Sequence, residues 1–431
     1  MLTVIRTSWP LLLGMLLLML GNGLQGSLLG VRGSTLGFSS VEMSLVMSAY
    51  FAGFLIASRV TPIMIRRVGH VRVFAALGSF VSAALLLFPT IQDPIAWILG
   101  RVVIGFCFCG VYVTAESWLN NAATNETRGQ ALSAYMIVQM LGIIIAQGLL
   151  VVPDPSGYLL FVIPSVLVSI AFAPILLSIS PTPAFESTKR MTLIELYNTS
   201  PLGCVGMFLM GSVFAAQFGM AAVYATEAGL SIAQIPIFTA AFYVGALIFQ
   251  YPVGWLSDRF DRRMLIALSA LIAGLASLMG MFLGGSFYVL VAAAFLIGGL
   301  SNPLYSLLIA YTNDFLEHED MAAASAGLLF VNGVGAITGP LIIGYAMQVM
   351  GPPGYFILLA FVLLTLTGYA VYRMTQRRAP SADDTHAYQS MMPTASPVTV
   401  EYASEWAVET AEAEADTPED DEAAKAGRTA A

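Results

Sequence analysis

Long apolar stretches alternate with short polar connections along almost the whole 431-residue chain. Each stretch holds about twenty consecutive, mostly apolar residues, the length that an α-helix needs to cross the roughly 30 Å hydrocarbon core of a bilayer. The pattern therefore predicts an all-α membrane protein with twelve transmembrane helices. The predicted spans cover approximately residues 9–29, 41–65, 73–91, 95–119, 129–151, 158–179, 201–225, 232–255, 264–283, 287–312, 322–350 and 355–373.

The connection between the sixth and seventh spans, "SPTPAFESTKRMTLIELYNTS", is the longest interruption and is rich in both proline and charge. We therefore divide the chain there. The sequence predicts an N-terminal six-helix bundle over residues 1–180, a cytoplasmic central loop over 181–200, a C-terminal six-helix bundle over 201–373 and a tail over 374–431.

The composition agrees with a membrane protein, because 58% of the residues are hydrophobic, only 10% are charged and the mean hydropathy is +0.80. A soluble domain of this size needs more charged surface. The formal net charge of −8 comes from the tail, since residues 379–431 contain twelve acidic and two basic residues. Apolar periodicity also ends there, so we expect this acidic tail to be largely disordered.

The Lys and Arg residues of the connections between predicted spans lie mostly on one side of the membrane, and the connections on the other side hold little beyond Arg32. Lys and Arg are enriched in cytoplasmic connections of membrane proteins, which fixes the orientation. Both termini are therefore expected in the cytoplasm. The basic residues on that side are Arg66, Arg67, Arg72, Arg128, Lys189, Arg190, Arg259, Arg262 and Arg263.

The chain also resembles itself, because an offset of 192 or 193 residues aligns several positions of the two halves. A near-constant offset across three pairs of spans indicates a duplication. A shift of six spans restores the direction across the membrane, so we predict two parallel six-helix repeats. The aligned pairs are Gly53 with Gly245, Gly105 with Gly298, Tyr112 with Tyr305, Asn120 with Asn313, Glu126 with Glu319, Gly142 with Gly335 and Gln139 with Asn332.

A charged loop, "GWLSDRFDRR" at residues 254–263, follows the eighth predicted span. It resembles the signature loop of the major facilitator superfamily, Gly-x-Leu-Ala-Asp-Arg-x-Gly-Arg-Arg, but has Asp261 where the family usually has glycine. The repeat offset aligns it with "PIMIRRVGHVR" at residues 62–72, where Arg66 replaces the aspartate. Together with "ESWLN" at residues 116–120, these features resemble the YcaD-like bacterial branch of the superfamily.

The resemblance implies that cytoplasmic loops of the two halves face one another. The arginines after the second span then lie opposite the acidic stretch "NDFLEHED", residues 313–320. We expect charge pairs there to form a latch that closes the cytoplasmic side; solvated loop charges are the alternative, since exposed pairs contribute only about 0–1 kcal/mol each. The latch candidates are Arg66, Arg67, Arg72, Asp258, Arg259, Arg262, Arg263, Glu317, Glu319 and Asp320.

The fourth span has the most polar face of any predicted helix. Arg101, Gly105, Tyr112 and Glu116 fall within a sector of about 60° at 100° per residue, so this face should look into the bundle. The spacing Arg101-x-x-x-Gly105 resembles a family motif whose arginine is associated with proton coupling. Arg101 and Glu116 are therefore the candidates for proton coupling.

Each of these two residues has a structural alternative. Arg101 lies near the outer end of its span and could instead extend its guanidinium to the headgroups. Glu116 could be a structural partner for Arg59 or Arg128.

The resemblance further implies that the first, fourth, seventh and tenth spans line a central cavity. Polar side chains recur on these spans, and two more lie on the repeat-matched fifth and eleventh spans. Polar residues in membrane helices also serve helix packing, which is the alternative for each one taken singly. The substrate-cavity candidates are Asn22, Gln25, Tyr112, Gln139, Gln217, Tyr224, Asn302, Tyr305 and Asn332.

Several classes of function lack support in the sequence. It has no Gly-x-x-x-x-Gly-Lys phosphate loop, and its three His and three Cys are not spaced as a metal site. Neither cofactor, metal, nucleic acid nor catalytic set is predicted, so we do not expect an enzyme.

We predict a secondary active transporter in the bacterial cytoplasmic (inner) membrane. It is expected to act as a monomer that moves a small organic solute by alternating access, coupled to protons. The alternatives are a membrane receptor or scaffold that signals through the acidic tail, and a passive facilitator.

Overall fold

The computed structural model describes residues 2–122, 127–152, 154, 157–176, 191–376, 388 and 391–393, and all regular secondary structure within them is helical. One π-helical turn, Ala216–Met220, joins α8 to α9. The α-helices are α1 (Leu2–Thr35), α2 (Ser40–Val68), α3 (His70–Leu87), α4 (Pro94–Ala122), α5 (Arg128–Leu149), α6 (Leu159–Leu176), α7 (Leu193–Thr199), α8 (Pro201–Ala215), α9 (Ala221–Glu227), α10 (Gln234–Ser257), α11 (Arg262–Leu283), α12 (Phe287–Asn313), α13 (His318–Met350) and α14 (Gly354–Gln376).

Within the described residues, eleven helices are long and apolar enough to cross a bilayer, with α8, the π-helical turn and α9 counted as one. α6 is also apolar but shorter. The chain is therefore an all-helical, multi-pass membrane protein. Each predicted span overlaps one of these helices, with bounds that differ by several residues, and the short α7 lies inside the predicted central loop.

Local signals in the sequence set several helix ends. Ser39 and Glu42 form a capping box at the start of α2, in which each side chain accepts a hydrogen bond from the other residue's backbone N–H. Gly69, with φ of +86°, separates α2 from α3 in a conformation that favours glycine. Ser200 caps α8, and Pro201 occupies its first position.

The connections between helices lie at two ends of the bundle. We call the end that carries the α2–α3 and α10–α11 connections the basic end, because their arginines lie there, and the end where α1 leads into α2 the opposite end. Within the first half, α2 packs extensively on α4 and α1 on α5; within the second, α10 packs on α12 and α8 on α13.

The two halves meet mainly where α2 packs on α13, α1 on α9 and α5 on α10. Towards the opposite end, Ser40 Oγ donates a hydrogen bond to Glu227 Oε1 at 2.7 Å. Gln147 Oε1 accepts one from Thr239 Oγ1 at 2.9 Å. Polar contacts thus join the halves at the opposite end.

Candidate functional site: a buried polar network

Arg101 of α4 is completely buried, with 0% of its surface exposed. Its Nη1 donates to Gln25 Oε1 at 2.9 Å, and its guanidinium lies over the ring of Tyr50, 4.6 Å from the ring centre. Its Nη2 also contacts the sulfur of Met47 at 3.7 Å. Arg101 therefore points into the bundle and does not reach the headgroups, which removes the alternative of an interfacial arginine.

A chain of side-chain hydrogen bonds links Arg101 to α1 and α2. Gln25 Nε2 donates to Asn22 Oδ1 at 2.8 Å, and Asn22 Nδ2 donates to the hydroxyls of Tyr112 at 2.7 Å and Tyr50 at 3.2 Å. Asn22 and Gln25 are three residues apart on α1, which places both on one face. The structure thus brings three cavity candidates together with Arg101 and Tyr50. We call these five residues the Arg101 network.

The charge within the Arg101 network is not neutralised by a nearby acid. Arg101 contacts an amide oxygen, a thioether and an aromatic ring, and no carboxylate of the described residues touches it. Its Nε has no hydrogen-bond partner among them either. A buried cation is costly in a bilayer and usually marks a functional position.

Glu116 lies on the same helix, but fifteen residues towards the basic end, which is about 22 Å along an α-helix. It is 2% exposed and accepts a hydrogen bond from the hydroxyl of Tyr135 on α5 at 3.0 Å. At this separation, Arg101 and Glu116 are two separate charged positions. Of the alternative partners of Glu116, Arg59 lies over the ring of Phe330 at 4.5 Å, and the side chain of Arg128 lies outside the described residues.

In the second half, the corresponding polar centre is neutral. Gln217 lies in the π-helical turn, where its Nε2 donates to Ser301 Oγ at 2.7 Å and its Oε1 accepts from Asn302 Nδ2 at 3.0 Å. Asn302 Nδ2 also donates to the carbonyl of Gly298. Because π-helical turns occur frequently at functional sites, this turn supports a role for Gln217. We call Gln217, Ser301 and Asn302 the Gln217 network.

The remaining cavity candidates do not join either network directly. Tyr305 and Asn332 are buried, and within the described residues neither the Tyr305 hydroxyl nor the Asn332 amide nitrogen has a hydrogen-bond partner. Asn332 lines a cavity between α2, α8 and α13, and Gln139 is buried on α5. Tyr224 instead stacks on Tyr355 of α14 at 4.9 Å, within an aromatic cluster.

The charges of the α10–α11 loop pair within their own half. Arg262 binds Asp314 at the end of α12 and lies 3.8 Å from Asp258, and Arg263 pairs with Asp261 at 2.8 Å. Asp261, the departure from the superfamily pattern, caps α11 by accepting from the backbone N–H of Arg263.

Two opposing effects act on the pKa of the Asp261 carboxyl. Burial acts to raise this pKa, but the hydrogen bonds from Arg263 and its positive charge outweigh burial and lower it overall. Asp261 is therefore ionised at neutral pH.

The other latch candidates lie on the surface of the basic end. Arg66, Arg67 and Arg72 are exposed on α2 and α3, and Glu317 is exposed at the start of α13. Arg259, in the turn after α10, contacts its own half, with its guanidinium 4.2 Å from the ring centre of Trp255 of α10. Asp320 is half-buried, and the side chain of Glu319 lies outside the described residues. A latch between the halves remains a prediction.

Sequence reasoning missed several residues that the networks use. Tyr50 and Met47 were overlooked because both read as ordinary apolar positions of the second span, and Tyr135 and Ser301 because a lone hydroxyl on a membrane helix carries little signal. All four are identified only by what they contact.

Comparison with known proteins agrees with this architecture. The sequence model of the Major Facilitator Superfamily matches residues 11–231 and 202–394 of the chain. The chain belongs to the Major Facilitator Superfamily. Members of this superfamily (MFS) are transporters, so the prediction that the chain is not an enzyme is confirmed.

Individual MFS proteins are similar over most of the chain. The uncharacterized MFS-type transporter YcaD of Escherichia coli O6:K15:H31 (strain 536 / UPEC) is 28% identical over 369 residues, covering 84% of this chain and 94% of the relative. The predicted resemblance to the YcaD-like branch is thereby confirmed.

Solved structures show the same fold at low sequence identity. The nucleoside transporter NupG (D323A mutant) has a TM-score of 0.71 at 14% identity, covering 85% of this chain and 99% of that protein. A bacterial homolog of the human lysosomal transporter Spinster, in an inward-facing and unoccupied conformation, has a TM-score of 0.67 at 15% identity, covering 94% and 98%.

Proposed function

We propose that this MFS protein is a secondary active transporter that moves a small polar organic solute by alternating access, coupled to protons. The observation that carries the proposal is the pair of buried ionisable residues on α4, Arg101 and Glu116, whereas the Gln217 network of the second half is neutral. Ionisable groups inside a membrane domain are costly, so they are retained where transport requires them.

Alternating access in this proposal is the movement of two parallel six-helix repeats, residues 1–180 and 201–373, within a twelve-span bundle. Matching close approaches support the repeat. A Cβ added to Gly53 would lie 2.0 Å from the Val102 carbonyl oxygen, and one added to Gly245 would lie 2.1 Å from that of Phe295. Gly245 follows Gly53 by 192 positions, and Phe295 follows Val102 by 193 positions.

A second pair of glycines follows the same rule. A Cβ on Gly105 would lie 1.9 Å from the Tyr50 carbonyl oxygen, and one on Gly298 would lie 2.1 Å from that of Phe242. Glycine at these positions allows α2 to approach α4, and α10 to approach α12, more closely than any side chain would permit.

The orientation follows from the arginines. We assign the basic end, and with it both termini, to the cytoplasmic side of a bacterial inner membrane. Two side-chain hydrogen bonds join the halves towards the opposite end, and on this basis we assign the conformation as closed to the outside. The loop charges at the basic end would then come together as the latch when the protein opens outwards.

We assign proton binding to Glu116. Its carboxylate is buried and accepts a hydrogen bond from Tyr135, so losing the proton places a negative charge in a region with little water. A change in its surroundings during the movement of the halves would therefore change its proton affinity. Arg101 keeps its charge in both states and orients the amides of Gln25 and Asn22.

The solute is assigned to unpaired polar atoms between the halves. Asn302 Oδ1, the Tyr305 hydroxyl and Asn332 Nδ2 are buried without a hydrogen-bond partner in the described part of the chain. Such atoms are unfavourable unless a ligand or water satisfies them. A neutral solute with both donors and acceptors fits this set, and one monomer contains all of it.

The test uses the purified protein in proteoliposomes that contain a pH-sensitive dye. Panels of nucleosides, sugars and amino acids are added outside, and both solute uptake and internal pH are followed. We expect at least one neutral polar solute to enter with a matching change of internal pH. Uptake that never changes internal pH would indicate a passive facilitator, and no uptake of any compound would contradict the proposal.

A further inference from the structure

Four residues beyond the end of α14 pack against the body of the protein. Tyr388, Met391, Met392 and Pro393 follow α14, which ends at Gln376, and Met391 and Met392 are only 5% and 3% exposed. The sequence predicted a largely disordered tail here. We call these four residues the docked tail segment.

Tyr388 binds α10 at two points. Its backbone N–H donates to Asp258 Oδ1 at 3.0 Å, and its hydroxyl accepts from Gln250 Nε2 at 2.9 Å. Gly254 lies midway between these two residues, and a Cβ there would come within 2.7 Å of the Tyr388 ring. The glycine that begins the charged loop thus provides the space in which the tyrosine ring packs.

Met391 binds the neighbouring helix α12 through its backbone. Ser306 Oγ accepts from the Met391 N–H at 2.9 Å and donates to the Met391 carbonyl oxygen at 3.2 Å. Ser306 is fully buried, so this side chain satisfies both backbone groups of one tail residue away from water. Such a paired contact fixes the register of the tail on the helix.

Pro393 reaches the space between the two halves. It lines the same cavity as Phe51 and Phe54 of α2, Phe214 of α8 and Asn332 of α13. The described residues of the tail therefore contact α10 and the loop after it at Tyr388, α12 at Met391 and, at Pro393, a cavity that is also lined by the solute-cavity candidate Asn332. Two methionines, whose flexible side chains fill irregular apolar surfaces, suit this path.

We propose that the docked tail segment is an autoinhibitory element that packs on α10 and α12 and blocks the cytoplasmic route to the cavity between the halves. This inference rests on the proposed transport function. Because the halves must approach each other at the basic end to open outwards, the segment also holds the protein in its present conformation. Release of the tail is then required for transport.

Docking is tested first, by thiol labelling without any transport measurement. Cys107→Ala, Cys109→Ala and Cys204→Ala remove all three native thiols, which are buried. In this background and in detergent-solubilised protein, we expect Met392→Cys to react with a hydrophilic maleimide at least about tenfold more slowly than Thr375→Cys, because local opening limits the reaction of a buried group. Thr375 is exposed at the end of α14 and serves as the reference.

A release variant links docking to activity. Tyr388→Ala with Met391→Asp removes the ring from the Gly254 site and places a charge against apolar surface, whereas Met391→Leu keeps the volume and the backbone contacts as a matched control. We expect the release variant to remove the protection of Met392→Cys and to raise the initial rate of solute uptake by about threefold or more, since the competent state becomes more populated. The control should change neither readout.

The outcomes separate the two proposals. Rapid labelling of Met392→Cys in the otherwise unaltered tail would overturn docking, whatever the transport rate. Protection that the release variant removes without any rise in uptake would overturn autoinhibition. If no variant moves any solute, the proposed function and the inhibitory role both fail, while the labelling still decides whether the tail docks.

Discussion

On α4 of the first half, Arg101 and Glu116 are almost completely buried, whereas the positions 193 residues later on α12 are Ala294 and Ile309. Both of these are buried as well, so the difference is chemical and not one of exposure. Gln25 forms a hydrogen bond with Arg101, while Gln217, 192 residues later, forms hydrogen bonds with Ser301 and Asn302. Gln25 and Gln217, which the sequence offset aligns, thus belong to a charged network in one half and to a neutral network in the other.

This difference suggests a division of labour between the halves. A buried charge can respond to protons and to the membrane potential, and a neutral network cannot. Neutral amides and hydroxyls instead supply directional hydrogen bonds, which discriminate between polar solutes. We therefore expect coupling to depend on the first half and solute affinity to depend more on the second.

The largest expected effect comes from placing an arginine in the second half, at the position that corresponds to Arg101. Ala294→Arg places a long cation at a fully buried position of α12 that has no partner built for it. We expect a loss of at least ~3 kcal/mol of folding stability, because an unpaired buried charge and overpacking both act against the native state. Thermal unfolding in detergent checks this, and a melting temperature equal to that of the unsubstituted protein would show that the halves are chemically interchangeable.

Removing the charge from the first half should affect transport more than stability. Arg101→Met keeps much of the side-chain length but leaves Gln25 Oε1 without its donor. A hydrogen bond to a charged group contributes about 1.5–3 kcal/mol, so we expect transport to fall by about 10- to 100-fold. Uptake rates in proteoliposomes measure this. Arg101→Lys, which keeps the charge, is the matched variant and should retain more activity.

A substitution in the Gln217 network should have a smaller effect than one in the Arg101 network, and the effect should be on solute affinity. Gln217→Ala removes the partner of Ser301 and Asn302, and each neutral hydrogen bond contributes about 1 kcal/mol, which corresponds to roughly a fivefold change. We expect the KM for solute to rise while the number of protons moved per solute stays constant. Altered coupling in Gln217→Ala would remove the proposed division between the halves.

The smallest effect is expected at the α10–α11 loop. Asp261→Asn retains a capping side chain but loses the charge paired with Arg263, which is worth about 0–1 kcal/mol at a partly exposed site. The folded-state pKa of Asp261 is lowered, so its stabilisation is present above the unfolded pKa of about 3.9 and is lost as pH falls through the lower folded value. Asp261→Asn should therefore leave the pH dependence of transport between about pH 5 and 8 unchanged. A shifted pH profile would be evidence that this loop takes part in coupling.

Patterns along the chain were sufficient for the helices and for the polar face of α4. Apolar length and helical spacing depend only on local sequence, which is why Arg101, Tyr112 and Glu116 could be placed on an inward face. The docking of Tyr388 and the contacts of Met47 could not be predicted in this way, because each depends on a partner distant in the sequence. The cap formed by Asp261 is local, two residues from Arg263, but it replaces the glycine of the superfamily pattern.

A π-helical turn explains why Tyr224 packs on α14 and does not join the Gln217 network. The π-helical turn at Ala216–Met220 inserts one extra residue, which rotates the positions that follow it by about 100° relative to a regular helix. Gln217 within the turn joins the neutral network, whereas Tyr224 beyond it packs on Tyr355 of α14. A count at 3.6 residues per turn along the seventh span therefore gives the wrong face for its last part.

The most direct test of coupling in the first half is the proton flux of Glu116→Gln during solute uptake. Asp93→Asn is the matched control, because Asp93 is exposed at the start of α4 and asparagine caps a helix equally well. We predict that Glu116→Gln lets solute equilibrate down its own gradient without any change of internal pH, while Asp93→Asn behaves as the unsubstituted protein. Undiminished proton flux in Glu116→Gln would contradict the assignment of coupling to the first half.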